Sequence, residues 1–447
     1  MSNTSLKRTL SLWQVSALGL AWNTPMIYFS TFGVSYESAS GQLLITYTLA
    51  FIAILFTGIS YAYLAKKIPV SGSAYTFAKA AIHPNAGFIV GWIVLLNYLF
   101  APIIACITFG VFLSAQFPTI PSFVWIIALI ILLAAIAIKG IGASANISAT
   151  FVAIQLLFIG GFAGFLLYKL FQGGNVPLAN AFAAPLLQLD NPFHVLMVGA
   201  SVVVFSFLGF DTITTLSEET KNPTKTIPRA IYLILIIVGT FHLTSSFVIQ
   251  TSFPRLSFIQ ADAAALELMA SVGGGILQLI FIVVLAMAIF TQGLASITAV
   301  SRLMFVMGRD GLLPKRAFAF IHPTYKTPVF NIILASCLSL LSLLFTVESA
   351  IRFVNFGALT SFFFVNLCVI ILSWKNRVRH APFLTYIAPA IGATIMFVLV
   401  SMLDVTTLTV GFTWIAFGFV YLLYLTNVFQ QPLAAWKPSS KQSIHLP

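Results

Sequence analysis

Apolar runs of about 20 residues, the length that crosses a bilayer as an α-helix, recur along the chain between short polar connectors. They lie near 12–35, 41–65, 86–114, 122–138, 145–168, 193–216, 229–252, 272–300, 329–346, 351–373, 382–402 and 407–428. The pattern predicts an all-α polytopic membrane protein of twelve transmembrane helices, numbered here as spans 1 to 12. No connector is long enough for an appended domain, so 1–447 reads as a single transmembrane unit.

Two spans interrupt themselves in matching ways. Span 1 contains SALGLAWNTPMIYFSTFGV and span 6 contains VVVFSFLGFDTITTL. Pro25 removes a main-chain donor and clashes with the preceding turn. Asn23 and Thr24 are expected to bond locally to the loosened backbone. In span 6, Gly209 permits unwinding and Asp211 suits the N-cap of a restarted helix. Irregular backbone at membrane depth persists only where protein or a water-filled cavity satisfies it, and paired interruptions in two halves point to a transporter site. A 5+5 inverted repeat, approximately 12–168 and 193–373 with spans 11 and 12 (382–428) added, places broken spans 1 and 6 at the repeat interface. The expected substrate-binding main chain is then Thr24, Pro25, Met26 and Ile27 with Phe207, Leu208 and Gly209. Bare N–H groups there suit a carboxylate and bare C=O groups an ammonium. The alternative is a pair of ordinary kinks.

Composition excludes a soluble protein. The chain is 60% hydrophobic and 7% charged, with a mean hydropathy of +1.02, against about 25% charged residues in soluble domains. The net charge of +12 therefore argues for basic connectors at anionic lipid, not for nucleic acid. With the N-terminus inside, all but three of the 22 lysines and arginines fall in cytoplasmic segments, including Lys7, Arg379, Lys437 and Lys441. The exceptions are Lys169, Arg255 and Arg352. This asymmetry predicts a multi-pass protein of the cytoplasmic membrane with both termini cytoplasmic. The segment after Lys7 and Arg8 is expected to be a retained first span and not a cleaved leader. Most acids, Asp190 among them, fall outside and Asp310 falls in a cytoplasmic connector; only Asp211, Glu218 and Glu219 remain.

Asp211, seven residues before Glu218, is the carboxylate nearest the expected site, to bind an amino group, take a proton or cap a helix. Glu218 is a gating or proton-coupling candidate beside Asp211, whereas Glu219 reads as a solvated helix end. Ser30, Asn97 and Tyr98 are candidate side-chain contacts; Thr291, Gln292 and Asn355 (at the opening of span 10) are further polar groups that suit interhelical hydrogen bonds. His242 lies outside the expected core and reads as a packing residue. GGFAG at 160–164 suggests close helix packing, and Pro228 is expected to open span 7. Cys106, Cys337 and Cys368 read as inert buried thiols. No nucleophile–base pair, metal cluster or filter-like repeat is visible, which argues against an enzyme, a cofactor or a channel.

Three stretches carry a resemblance: KKIPVSGSAYTFAKAAIHPNAGFIVGW, GFDTITTLSEETKNPTKTIPRAI and SRLMFVMGRDGLLP. Together they resemble the amino acid–polyamine–organocation (APC) superfamily of permeases over essentially the whole chain. LWQVSALGLAWNTPM, STFG, GSAYT, FSFLGFDTITTLSEET and NFGAL most resemble its putrescine importer branch. The resemblance implies alternating access at a site beside broken spans 1 and 6, coupled to protons or to exchange. Where that branch carries aspartates in spans 1 and 3, this chain has Ser30 and Asn97, which favours a zwitterion or a less charged amine over a dication. Amino-acid members carry a small Gly-rich turn in span 1; here NTPMIY stands, and Pro25 has no N–H to give. Gln155 matches the lysine of some proton-coupled members. The expectation is a secondary active transporter importing an amino acid or amine, with a putrescine/polyamine importer and a non-translocating receptor as alternatives.

Overall fold

The computed structural model describes residues 8–140, 144–172, 191–253, 256–378, 381–431 and 433. Lys7, Asp190, Arg255, Arg379, Lys437 and Lys441 lie outside the described residues.

Among the described residues, ten helices are long and apolar enough to cross a membrane, and a shorter apolar one, Val329–Leu343, forms span 9. Span 1 completes the twelve as three pieces, Leu12–Asn23, Ile27–Ser30 and Phe32–Ser38. Spans 2 to 5 are Leu43–Lys67, Pro84–Gln116, Ser122–Lys139 and Ser144–Gln172. Span 6 is Phe193–Leu216. A short helix, Ser73–Ala81, joins spans 2 and 3. Lysines close spans 2 and 4, where a cation complements the helix dipole.

Span 7, Pro223–Ser252, starts before the expected Pro228, because Pro223 already supplies the preset φ of a first helical position. Span 8 belongs to Ala264–Arg309, which turns sharply at Gly274 (φ 65°, ψ −162°) and so begins where the apolar run begins. Span 10, Val347–Lys375, starts at the Thr346 cap, which leaves Asn355 two turns inside instead of at its opening. Spans 11 and 12 are Phe383–Ser401 and Val405–Leu425. Span 12 docks through a reciprocal pair: the Trp92 indole donates to the Trp414 carbonyl at 2.9 Å and the Trp414 indole to the Trp92 carbonyl at 2.8 Å.

Two packing expectations fail. Gly161 and Gly164 have nothing within 4 Å of an added Cβ and Gly160 meets only Phe241 at 3.8 Å, so that face looks outward and is not a packing seam. Cys106 and Cys368 are buried, but Cys337 is exposed on an outward face of span 9.

The two faces of the bundle differ. On the face opposite the N-terminus, Phe258 packs edge-on against Phe32 and Tyr36, and the Tyr36 hydroxyl accepts from the Leu256 amide at 2.9 Å. The connector thereby covers the end of span 1. On the N-terminal face a cavity of about 450 Å³ lies open, lined by Gln14, Ser71, Thr215, Glu218, Glu219 and Arg302 among others.

Candidate functional site

The break in span 1 begins at Thr24 (φ 41°, ψ 112°), whose amide still reaches the Leu20 carbonyl at 2.7 Å. Pro25 cannot donate, and the helix restarts at Ile27. Span 6 winds down in stages, from α-helix Phe193–Val203 to a 3₁₀ turn Val204–Phe207, then extended Leu208, then Gly209 at φ 117°. Only glycine adopts that angle without strain, and a Cβ there would stand 2.9 Å from both the Asn23 amide nitrogen and the Trp22 ring. The two breaks therefore touch.

Asn23 and Thr24 do not bond locally as expected. The Asn23 amide crosses to span 6 and donates to the Ser206 and Leu208 carbonyls at 2.9 and 2.5 Å. The Thr24 hydroxyl crosses to Gln155 at 2.6 Å. Asn355 donates to the Ser201 and Val202 carbonyls, both at 2.9 Å. Carbonyls freed by unwinding are thus met by asparagines from neighbouring spans, as irregular backbone in a membrane requires.

Asp211 does not cap the restarted helix through its side chain. The restart, Thr212–Leu216, is 3₁₀, and hydroxyls of Thr212, Thr214 and Thr215 bond back three residues along it. The carboxylate turns the other way, accepting from the Gly209 amide at 3.2 Å and the Tyr98 hydroxyl at 3.0 Å. Asp211 is 1% exposed and is the only buried carboxylate among the described residues. No described cation pairs with it. Burial of such a charge demands a proton or a cationic ligand.

The expected residues gather unevenly. Tyr98 joins Asp211 to Ser73, 3.4 Å from its hydroxyl, which brings the short Ser73–Ala81 helix to the site. Asn97 is buried with its side-chain oxygen and nitrogen both unpartnered; the Trp22 indole, the Asn23 oxygen and the Gln155 and Gln292 nitrogens are also orphaned. Buried polar atoms of this kind call for a ligand or water. Ser30 bonds to the Ile27 carbonyl of its own helix at 3.0 Å, and Thr291 to Ala288 at 2.8 Å. Met26, Ile27, Phe207 and Leu208 are buried. His242, expected outside the core, lies against the breaks: its ring is 5.2 Å from Phe207 and 5.7 Å from Tyr28, facing the Pro25 carbonyl. Periodicity could not place it, since span 7 is apolar on several sides.

A narrow cavity lined by Trp22, Thr212, Thr215 and Arg302 shares Thr215, Thr298 and Arg302 with the wide cavity, which makes a path from the breaks to the N-terminal face. Glu219, read as a solvated end, pairs across this path with Arg302 of span 8 at 3.0 Å; Glu218 makes a longer, more exposed pair with Arg309 at 3.6 Å. The signal missed was the reach of the arginine from span 8. The Thr9 and Leu10 amides donate to the Glu219 carbonyl at 2.9 and 3.0 Å, and Lys221 returns a bond to Leu10. Nearby, Lys79 pairs with Asp310 at 2.6 Å and the Tyr75 hydroxyl donates to the same carboxylate. Burial, reinforced by Asp310, pushes that phenol well above its ordinary value.

The amino acid permease family model matches residues 13–438. The chain belongs to this family. The permease is 37% identical to the "Low-affinity putrescine importer PlaP" of Escherichia coli (strain K12), over 98% of this chain and 97% of that one. It is 30% identical to the "Branched-chain amino acid permease BcaP" of Bacillus subtilis (strain 168), over 94% of this chain and 93% of that one, and 29% identical to the "Methylthioribose transporter" of the same organism, over 94% of both chains. The family is one of transporters, not enzymes, and the permease is a multi-pass membrane protein.

Proposed function

We propose that this permease imports a small metabolite bearing one amino group, an amino acid or monoamine, by alternating access. The observation that carries the reading is Asp211, a single buried carboxylate presented by Tyr98 and Gly209 where the broken spans meet. One buried negative charge suits one ammonium. Thr24–Ile27 and Phe207–Gly209 supply main-chain polarity around it, Asn97 an unpartnered amide; Ser30, whose hydroxyl is engaged within its own helix, plays a lesser part. The proton is the coupling candidate, since an empty Asp211 must be neutralised, and Glu218 is a second, outer acid.

The basic connectors, with Lys66, Lys67, Lys139, Arg309, Lys315 and Arg316 on the N-terminal face, support a cytoplasmic N-terminus. The wide cavity is then the exit to the cytoplasm, and lipid surrounds the outward apolar side chains. Rocking of the bundle carrying spans 1 and 6, in repeats 12–168 and 193–373 of one 1–447 unit, switches access.

Labelled uptake into proteoliposomes, with and without an imposed pH gradient, across neutral amino acids, monoamines and putrescine tests this reading. Uptake of a singly aminated solute that Asp211→Asn abolishes supports it; binding without uptake would make the protein a receptor. The second reading, a putrescine importer, is favoured by the 37% identical relative. Uptake confined to putrescine would establish it in place of the first.

A further inference from the structure

Arg302 stands where the two cavities meet and lines both. Its Nη2 donates to the Glu219 carboxylate, whose oxygens lie 3.0 and 3.3 Å away. Its Nη1 is buried and meets no acceptor. A guanidinium offers five donors in a planar fork and matches a carboxylate along an edge. A charged donor left buried and unpaired is costly, and an incoming carboxylate oxygen removes that cost.

Glu219 holds its place through the backbone, because the Thr9 and Leu10 amides fix its carbonyl. The wide cavity adds Lys139, Arg309 and Lys326 to Arg302, against Glu218 and Glu219. A confined, cation-rich passage attracts carboxylates and opposes a dication.

We infer that Arg302 is a relay subsite for a substrate carboxylate, and that Glu219 occupies it between passages. An amino acid leaving Asp211 and Tyr98 presents its carboxylate to the free edge of the guanidinium, displaces Glu219 and opens the junction. The inference rests on the transport reading above and sharpens it: the substrate is a zwitterionic amino acid, not a diamine.

The test uses proteoliposomes of the full chain, with labelled neutral α-amino acids each set beside its decarboxylated amine, and putrescine. Wild-type protein is expected to carry amino acids. Arg302→Gln lowers their transport about ten- to hundredfold, the worth of a charge-assisted hydrogen bond, while transport of the paired amine changes by less than about threefold. Arg302→Lys recovers part of the loss, since it keeps the charge without the fork. Glu219→Gln lowers the KM for amino acids, because the internal competitor has lost its charge. This opposite sign, with monodisperse elution of each variant, separates a subsite from a structural strut. Equal losses for amino acid and amine in Arg302→Gln, or a raised KM in Glu219→Gln, would overturn the relay. Wild-type protein that carries amines but no amino acid also overturns it and leaves the transport reading standing. Protein that carries neither class ends both.

Discussion

Single residues here act across long sequence distances. Asn23 meets two carbonyls more than 180 positions away. Replacing it with alanine leaves both without a donor, at about 1–3 kcal/mol for each buried group. Asn23→Ala should therefore unfold earlier in a thermal melt in detergent and lose transport with it. Asp211→Asn keeps the shape and removes the charge. It should lower uptake about thirtyfold or more, as truncating a buried charged contact does, with an unchanged melting temperature. The polarity of Asn23 and Asp211 was legible in the sequence because acids and amides are conspicuous in apolar runs. Their partners were not, since contacts between spans 1 and 6 leave no local pattern. The same holds for Glu219, whose arginine comes from span 8.

At the scale of elements, apolar run length placed all twelve spans, because the bilayer dictates it. Boundaries moved where caps intervened, as at Pro223 and Thr346. The clip between Thr9–Leu10 and Glu219–Lys221 had no signal, because a single parallel bridge needs no alternating pattern. Leu10→Pro removes one of its donors, worth about 1 kcal/mol. Faster thiol labelling of a Thr215→Cys probe in that variant, in a Cys337→Ser background, is the expected outcome. Span 12 is tethered differently. Burial pushes the Asp404 carboxyl up, but bonds from the Thr407 hydroxyl and amide, with Arg352 at 3.2 Å, hold it below its ordinary value. A depressed carboxyl stabilises the folded form above its unfolded value of about 4 and ceases to do so as pH falls through the folded value. Acid should therefore loosen span 12, read as a change in Trp414 fluorescence as its stack on Trp92 opens, and Asp404→Asn should remove this acid response.

Among the described residues, one end of the bundle is covered over Phe32 and the other is hollow. Thr215 lines both cavities on the N-terminal side, whereas Phe32 lies beneath Phe258 on the far side. A membrane-impermeant thiol reagent should modify Thr215→Cys from the N-terminal face at least about tenfold faster than Phe32→Cys from the opposite face. Converting this form to one open on the far side requires some seam to slide. The junction of spans 1 and 6 is a poor choice: parting it would strip the Ser206 and Leu208 carbonyls of the Asn23 side-chain donor, in a medium with no water to replace it. On the alternating-access reading proposed above, two spans sutured in this way travel as one rigid body, and the slip plane falls at the weaker, reversible charge contact with span 8.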